Sequence, residues 1–183
     1  METLEKKSVA VWTVDPSHSE LLFKVKHLMI TNVKGEFRKF DITSKTGETD
    51  FSESEIVATI DASSVFTNNT DRDNHLKSAD FLDAENHREI IFKSHSFQKN
   101  EDGNFILKGD LTIKGVTREV LLDVEFGGIN KDPWGNEKAG FSVSGKINRK
   151  DWGLNWNAAL ETGGVLVSEE VKINAEVQLV RKG

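Results

Sequence analysis

Residues capable of catalysis or metal binding are few in this chain, and their spacing does not assemble a reactive centre. There is no cysteine, which removes disulfides, thiolate nucleophiles and thiolate metal sites. Gly140 to Lys146 has the spacing of a phosphate loop, but Ile147 stands where a hydroxyl must hold magnesium. That stretch also alternates like a strand instead of entering a helix. Asp71 and Asp73 begin like a calcium loop, yet Leu76 replaces its glycine and Leu82 its final glutamate. No Gly-x-Ser-x-Gly elbow is present. The five histidines, at 18, 27, 75, 87 and 95, show no helical metal spacing. His75 and His87 are the two that a zinc ion would use, but isolated histidines more often serve as hydrogen-bonding structural residues. No enzymatic activity, no cofactor and no structural metal are therefore expected.

The elements that would position any site are strands. The last one is the clearest. Val171, Ile173, Ala175, Val177 and Leu179 alternate with Lys172, Asn174, Glu176 and Gln178, so one face is apolar and the other wet. Val9 to Val14 is a short apolar strand, ended by a turn at Asp15-Pro16-Ser17. Leu21, Phe23 and Val25 share a face in the next strand. Val33, Gly35 and Phe37 continue, after which Phe40 and Ile42 fall in the opposite parity, which predicts a bulge near Arg38-Lys39. Ile56, Ala58 and Ile60 line another strand. Ile90 and Phe92, then Leu107, Gly109, Leu111 and Ile113, then Val120, Leu122, Val124 and Phe126, then Phe141, Val143, Gly145 and Ile147 form further one-sided sets. Lys114-Gly115 is a tight turn, and residues 127–138 and 151–164 read as loops. The polar stretch 63–89 breaks the pattern. One or two helical turns are expected at 72–79, capped by Thr70 or Asp71 and packed by Leu76 and Ala79. Eight or nine such strands imply an all-β antiparallel sandwich or barrel.

Composition narrows the class further. A chain of 183 residues suits one domain at 9–183 after a polar tail at 1–8. A net charge of −6 argues against a nucleic-acid partner. No apolar run reaches the length of a membrane span. Met1 to Ala10 contains no apolar leader core, so a cytoplasmic location is expected, or the periplasm if a leader has been removed. Eleven phenylalanines, four tryptophans and no tyrosine suit a dry interior. Periodicity alone leaves open whether that interior is a packed core or a cavity.

Several segments resemble the YceI-like, polyisoprenoid-binding family. Val14-Asp15-Pro16-Ser17-His18-Ser19 with Phe23-x-Val25-x-His27 is similar to its opening, and Thr31-x-Val33-x-Gly35-x-Phe37 extends the match. Arg72-Asp73-Asn74-His75-Leu76-Lys77-Ser78-Ala79-Asp80-Phe81 resembles its most distinctive motif, and the segment from Gly109 to Thr117 resembles its second. Gly140-Phe141, Arg149 and Asp151-Trp152-Gly153 match the late part. The resemblance covers about residues 9 to 181. The chain departs from it in showing no signal peptide and in having Arg88 near a place where members often carry proline.

The resemblance implies a lipocalin-like antiparallel barrel of about eight strands, with one short helix over an end and a long isoprenoid or similar lipid inside. Phe23, Val25, Phe37, Gly109, Leu111, Ile113, Val124, Phe141, Val143 and Gly145 would line the cavity. Gly109 and Gly145 are expected to leave room there. Arg72, Asp73 and His75 either meet a polar head at the barrel mouth or fix the helix over it. The carboxylate beside Arg72 favours the structural role, because it would repel a phosphate. A lipid carrier or sequestering protein is the leading expectation. The runner-up is a binder of another amphiphile, such as a quinone, a fatty amide or an antibiotic. A homodimer is compatible with either.

Overall fold

The computed structural model describes residues 9–47, 51–52, 54–161 and 164–182. The tail expected at 1–8 lies outside them. The described residues form eleven strands and one α-helix: β1 (Val9–Val14), β2 (Glu20–His27), β3 (Thr31–Phe37), β4 (Phe40–Gly47), β5 (Glu55–Asp61), β6 (Val65–Phe66), α1 (Thr70–Lys77), β7 (Glu89–Lys99), β8 (Phe105–Ile113), β9 (Val116–Lys131), β10 (Glu137–Asn148) and β11 (Glu170–Lys182). Neighbours pair in the order β1-β4-β5-β7-β8-β9-β10-β11, and β11 returns to β1, closing an eight-strand antiparallel barrel. Closure removes the exposed edges that an open sheet would present.

Three barrel strands are broken in two. β1 and β2 both lie along β11, β1 beside Leu179 to Lys182 and β2 beside Lys172 to Glu176. Between them a 3-10 turn at Pro16–His18 is capped by the Asp15 side chain, and the Asp15 N–H bonds the Gln178 carbonyl across the gap. β3 and β4 divide at Arg38-Lys39, where the change of parity in the sequence predicts a break. β5 and β6 divide at Ala62–Ser64. Each break lets a long strand bend around the barrel while its inward side chains stay inward.

Two boundaries differ from the sequence reading. The helix starts two residues earlier than expected, and its cap is Asn69, whose side chain accepts from the Arg72 N–H. Residues 127–131 are strand, not loop. β9 runs on to Lys131, with a bulge opposite Gly140/Phe141 and Gly128 at φ 108°. Gly127-Gly128 therefore bends a strand that the sequence reading had ended at Phe126.

The two barrel ends differ. One is closed by aromatic rings. Phe51, from the β4–β5 connection, lies 5.1 Å from Trp12, 5.4 Å from Phe126 and 5.2 Å from Phe141, and Phe97 stacks on Phe105 at 4.3 Å. The other end carries the β2–β3 hairpin, the α1 segment, the β8–β9 turn and the long β10–β11 connection.

Asp15 also ties β1–β2 to β10. Its carboxylate accepts from Lys138 Nζ at 2.8 Å, with Ser17 and His18 alongside. The Lys138 ammonium, then those two neighbours, hold its pKa well below the usual carboxylate range. A depressed pKa stabilises the fold above the unfolded value of about 3.9, and that stabilisation is lost as pH falls through the folded value. Asp15→Asn is expected to cost about 1.5–3 kcal/mol at neutral pH. Denaturant melts of the two proteins should converge below about pH 3.9; a gap that stays constant into strong acid would show that the carboxylate charge is not the cause.

Candidate functional site

The barrel encloses a cavity of about 450 Å³. Its walls come from every strand of the barrel except β1. Along β11 alone, lining residues run from Val171 to Leu179, about 26 Å of strand and about 20 Å along the axis at the usual tilt. Among the described residues, the polar or charged lining side chains besides the Trp156 indole are His27, Ser44, Thr67, Arg72, His75 and Arg149. All of these except Ser44 lie at the open end. The cavity is thus a greasy tube with its polar groups gathered at the mouth.

Of the residues expected to line it, Phe23, Val25, Phe37, Leu111, Ile113, Val124, Phe141 and Val143 do so. Gly109 and Gly145 do not, which corrects the expectation that they leave room. A Cβ on Gly109 would meet the Phe92 ring and the Lys93 carbonyl at 2.5 Å, and one on Gly145 would strike Leu122 Cδ2. The space beside each glycine is already filled by a neighbouring strand's side chain.

At the mouth, Arg72 and Asp73 converge on one residue. Arg72 Nε donates to Thr67 Oγ1 at 2.7 Å and Nη2 to the Thr67 carbonyl at 2.6 Å. The buried Asp73 carboxylate accepts from the Thr67 N–H at 2.8 Å and its hydroxyl at 2.6 Å. These bonds clamp the β6–α1 connection, while Arg72 also lines the cavity. His75 bonds Asp80 at 2.9 Å and meets Phe81 and Trp156 edge-on, with centroids 5.0 and 4.6 Å apart. This three-ring lid covers one side of the opening. His87 instead lies against the β8–β9 turn at Gly115. Among the described residues, the group of three with ligand atoms within 4.8 Å of one another is His95, Asp110 and Glu119, on the outer wall.

Arg149 is the mouth residue to which the sequence reading gave no role. It is only 3% exposed. Its Nε donates to the Ser168 carbonyl, Nη1 to those of Leu154 and Trp156, and Nη2 to that of Val167, at 2.6–3.3 Å. Burial lowers its pKa, and the Glu169 charge offsets part of that. Trp152, 2% exposed, donates its indole N–H to the Leu111 carbonyl at 2.8 Å. These two side chains hang the irregular β10–β11 connection on the barrel rim. The available signal was an arginine just before Asp151-Trp152-Gly153, in a segment otherwise lacking strand periodicity.

Ser44 Oγ, on the cavity wall, and Trp12 Nε1, outside the cavity lining, are buried polar atoms with no hydrogen-bond partner among the described residues. The two residues face each other across β1 and β4.

Comparison with known proteins agrees with this architecture. The model of the YceI-like domain matches residues 12–179. The chain belongs to the YceI-like family. UPF0312 protein SA2479 of Staphylococcus aureus is 45% identical over 168 residues, covering 91% of this chain and 95% of that protein. Among solved structures, the Campylobacter jejuni YceI protein superposes with a TM-score of 0.73 at 35% identity, over 87% of this chain and 91% of the other. A polyisoprenoid-binding domain from Saccharophagus degradans shares the fold at 13% identity, with a TM-score of 0.67 over 93% and 98% of the two chains.

Proposed function

We propose that this YceI-like protein binds one long apolar lipid of the polyisoprenoid type in its barrel, and carries or sequesters it. The observation that carries the reading is the tube itself: an apolar lumen along most of the barrel, with Ser44 as a polar lining residue in its depth and the charged groups at its mouth. Its volume lies within the usual range for ligand sites, about 300–1,000 Å³. Each buried methylene contributes up to about 0.8 kcal/mol, so chain length governs affinity more than chain identity does. The description of the S. degradans domain as polyisoprenoid-binding supports the same class of ligand. Catalysis is disfavoured because the one lining hydroxyl deep in the tube, Ser44, has no base beside it.

Mass spectrometry of an organic extract of the purified protein is expected to show a stoichiometric long-chain isoprenoid or related lipid. Ala58, a small lining residue on β5, offers the complementary test. Ala58→Trp is expected to reduce binding of a fluorescent apolar probe by about tenfold or more, given that a few lost methylene contacts exceed 1.4 kcal/mol. Unchanged probe affinity in a folded Ala58→Trp protein would place the ligand elsewhere.

The unpartnered Ser44 hydroxyl on the cavity wall favours a second reading, an amphiphile such as a quinone or fatty amide whose oxygen enters first. Ser44→Ala would then weaken retention of an oxygenated ligand and leave a plain hydrocarbon probe unaffected.

A further inference from the structure

The β2–β3 hairpin at the mouth is built against local preference. His27 pairs with Thr31, leaving a three-residue connection, and within it the Ile30 N–H bonds the His27 carbonyl, closing a β-turn with Leu28 at φ 54° and Met29 at φ 64°. Both central residues are left-handed, a turn normally made by Asn-Gly because bulky side chains are strained there. The chain instead presents Leu28, Met29 and Ile30, 40%, 52% and 77% exposed. They are the only three consecutive residues among the exposed large apolar side chains of the described chain. They stand beside His27, Leu166 and Val167 of the cavity lining.

A second, independent feature lies on the same wall. Lys146 pairs with Lys172, Lys172 with Lys24, and Lys24 with Lys34, each in direct register across β10, β11, β2 and β3. These residues alternate with inward apolar ones, so all four ammonium groups line one outer row. Lys26 adds a fifth on the hairpin. Like charges directly opposite on a sheet are unfavourable, and no ion pair to any of the five is found among the described residues. The acids flanking the row by register are Glu36, Glu170 and Asp123, the last opposite Ser144, each one same-face step away. This row stands in a chain of net charge −6. Lys24 and Lys34 sit four residues from the turn, about 13 Å along the strands.

We propose that the Leu28–Ile30 tip and its lysine row form a docking face for an anionic lipid bilayer, which places the cavity mouth at the membrane surface. The apolar tip enters the headgroup layer, and the lysines meet the surface potential that anionic lipids create. An uncharged protein groove would leave the row uncompensated, and a second copy would set it against another row of the same sign.

The test is flotation with vesicles of phosphatidylcholine, with and without about 30% phosphatidylglycerol. The wild-type protein should float with the anionic vesicles and stay in solution with the neutral ones. Raising salt toward 1 M, where the screening length is about 3 Å, should release it. The double variant Leu28→Asn/Met29→Gly supplies the residues the turn prefers, so its melting temperature should hold or rise while flotation falls about tenfold. Lys24→Gln/Lys34→Gln should abolish the preference for anionic vesicles. Apolar-probe binding without vesicles should be unchanged in both, so failure of the cavity reading and failure of the docking reading are separate results. No flotation of the wild type, equal flotation of the variants, or a lower melting temperature for Leu28→Asn/Met29→Gly would each overturn the proposal. So would a wild-type dimer that this variant converts to monomer without any vesicle binding.

Discussion

Arg149→Met is expected to destabilise the protein by about 3–5 kcal/mol, near the largest single-residue effects known. The side chain is an apolar fit of similar length, so the loss is in hydrogen bonding. Four carbonyls, those of Leu154, Trp156, Val167 and Ser168, converge on one guanidinium in the native protein. Without it those of Leu154, Trp156 and Ser168 lose their side-chain donor, each costing about 1–3 kcal/mol before water reaches the rim, while that of Val167 keeps the Asn157 amide. Lysine does not substitute, because a single ammonium cannot present donors in the guanidinium's planar fork. Arg149→Lys should therefore recover only a minor part of the loss. In a domain of this size, 3–5 kcal/mol corresponds to a fall in melting temperature of roughly 10 °C. The site should fail along with stability. Trp156 packs on His75 and Phe81, so releasing its carbonyl opens that lid, and apolar-probe dissociation should accelerate even below the melting transition. A variant that melts within about 1 kcal/mol of the wild type would show that water or a rearranged loop replaces the guanidinium.

Much of this fold is legible in the sequence because a closed barrel imposes period two on every strand, and the chain obeys it. The inward sets on β8, β10 and β11 could be read residue by residue. Even the parity slip before Phe40 marks a real break between two half-strands. What the sequence hides is where the inward side chains go once they are inside. Phe92 and Phe23 both point inward, but each lies over a glycine of the neighbouring strand, Gly109 and Gly35 respectively. An inward glycine signals close approach of another group, and the strand pattern does not say whether that group is a ligand or a ring across the strand. The eight expected residues with ordinary side chains stand on the cavity wall, and Gly109 and Gly145 do not.

The mouth was harder still. Arg149, Trp152 and Trp156 sit in a segment with no periodicity, and their partners are backbone carbonyls, which carry no sequence signal. Arg72, Asp73 and His75 were found through their motif, yet only geometry separates their tasks. Thr67, six residues before Asp73, absorbs both the arginine and the aspartate. The lysine row is implicit in the sequence as well, but it emerges only once register brings Lys24, Lys34, Lys146 and Lys172 together, since their sequence separation is otherwise uninformative.

The glycine correction makes its own measurable demand. Gly109→Ala should cost about 3 kcal/mol, and Gly145→Ala no more than about 1 kcal/mol. Both add one methyl group to an inward position of a central strand, and propensity alone would make alanine slightly favourable. The difference lies in what each methyl meets. At Gly109 one obstacle is the Lys93 carbonyl at 2.5 Å, which is backbone held in the β7–β8 ladder beside the bulge at Ser94/Ser96. It can yield only if the ladder does. The other is the Phe92 ring, already confined by the cavity wall. At Gly145 the obstacle is the tip of Leu122, a side chain facing the lumen, and the nearest backbone atom, the Leu121 carbonyl, is at an ordinary 3.4 Å. Leu122 can rotate into the tube. Gly145→Ala should thus keep its fold and lose apolar-probe affinity modestly, while Gly109→Phe should fail to fold instead of acting as a clean block to uptake. Denaturant melts of the two alanine variants decide the matter. Equal stabilities would mean that β7 shifts to accept the methyl, and that Gly109 is set by something other than the Lys93 carbonyl.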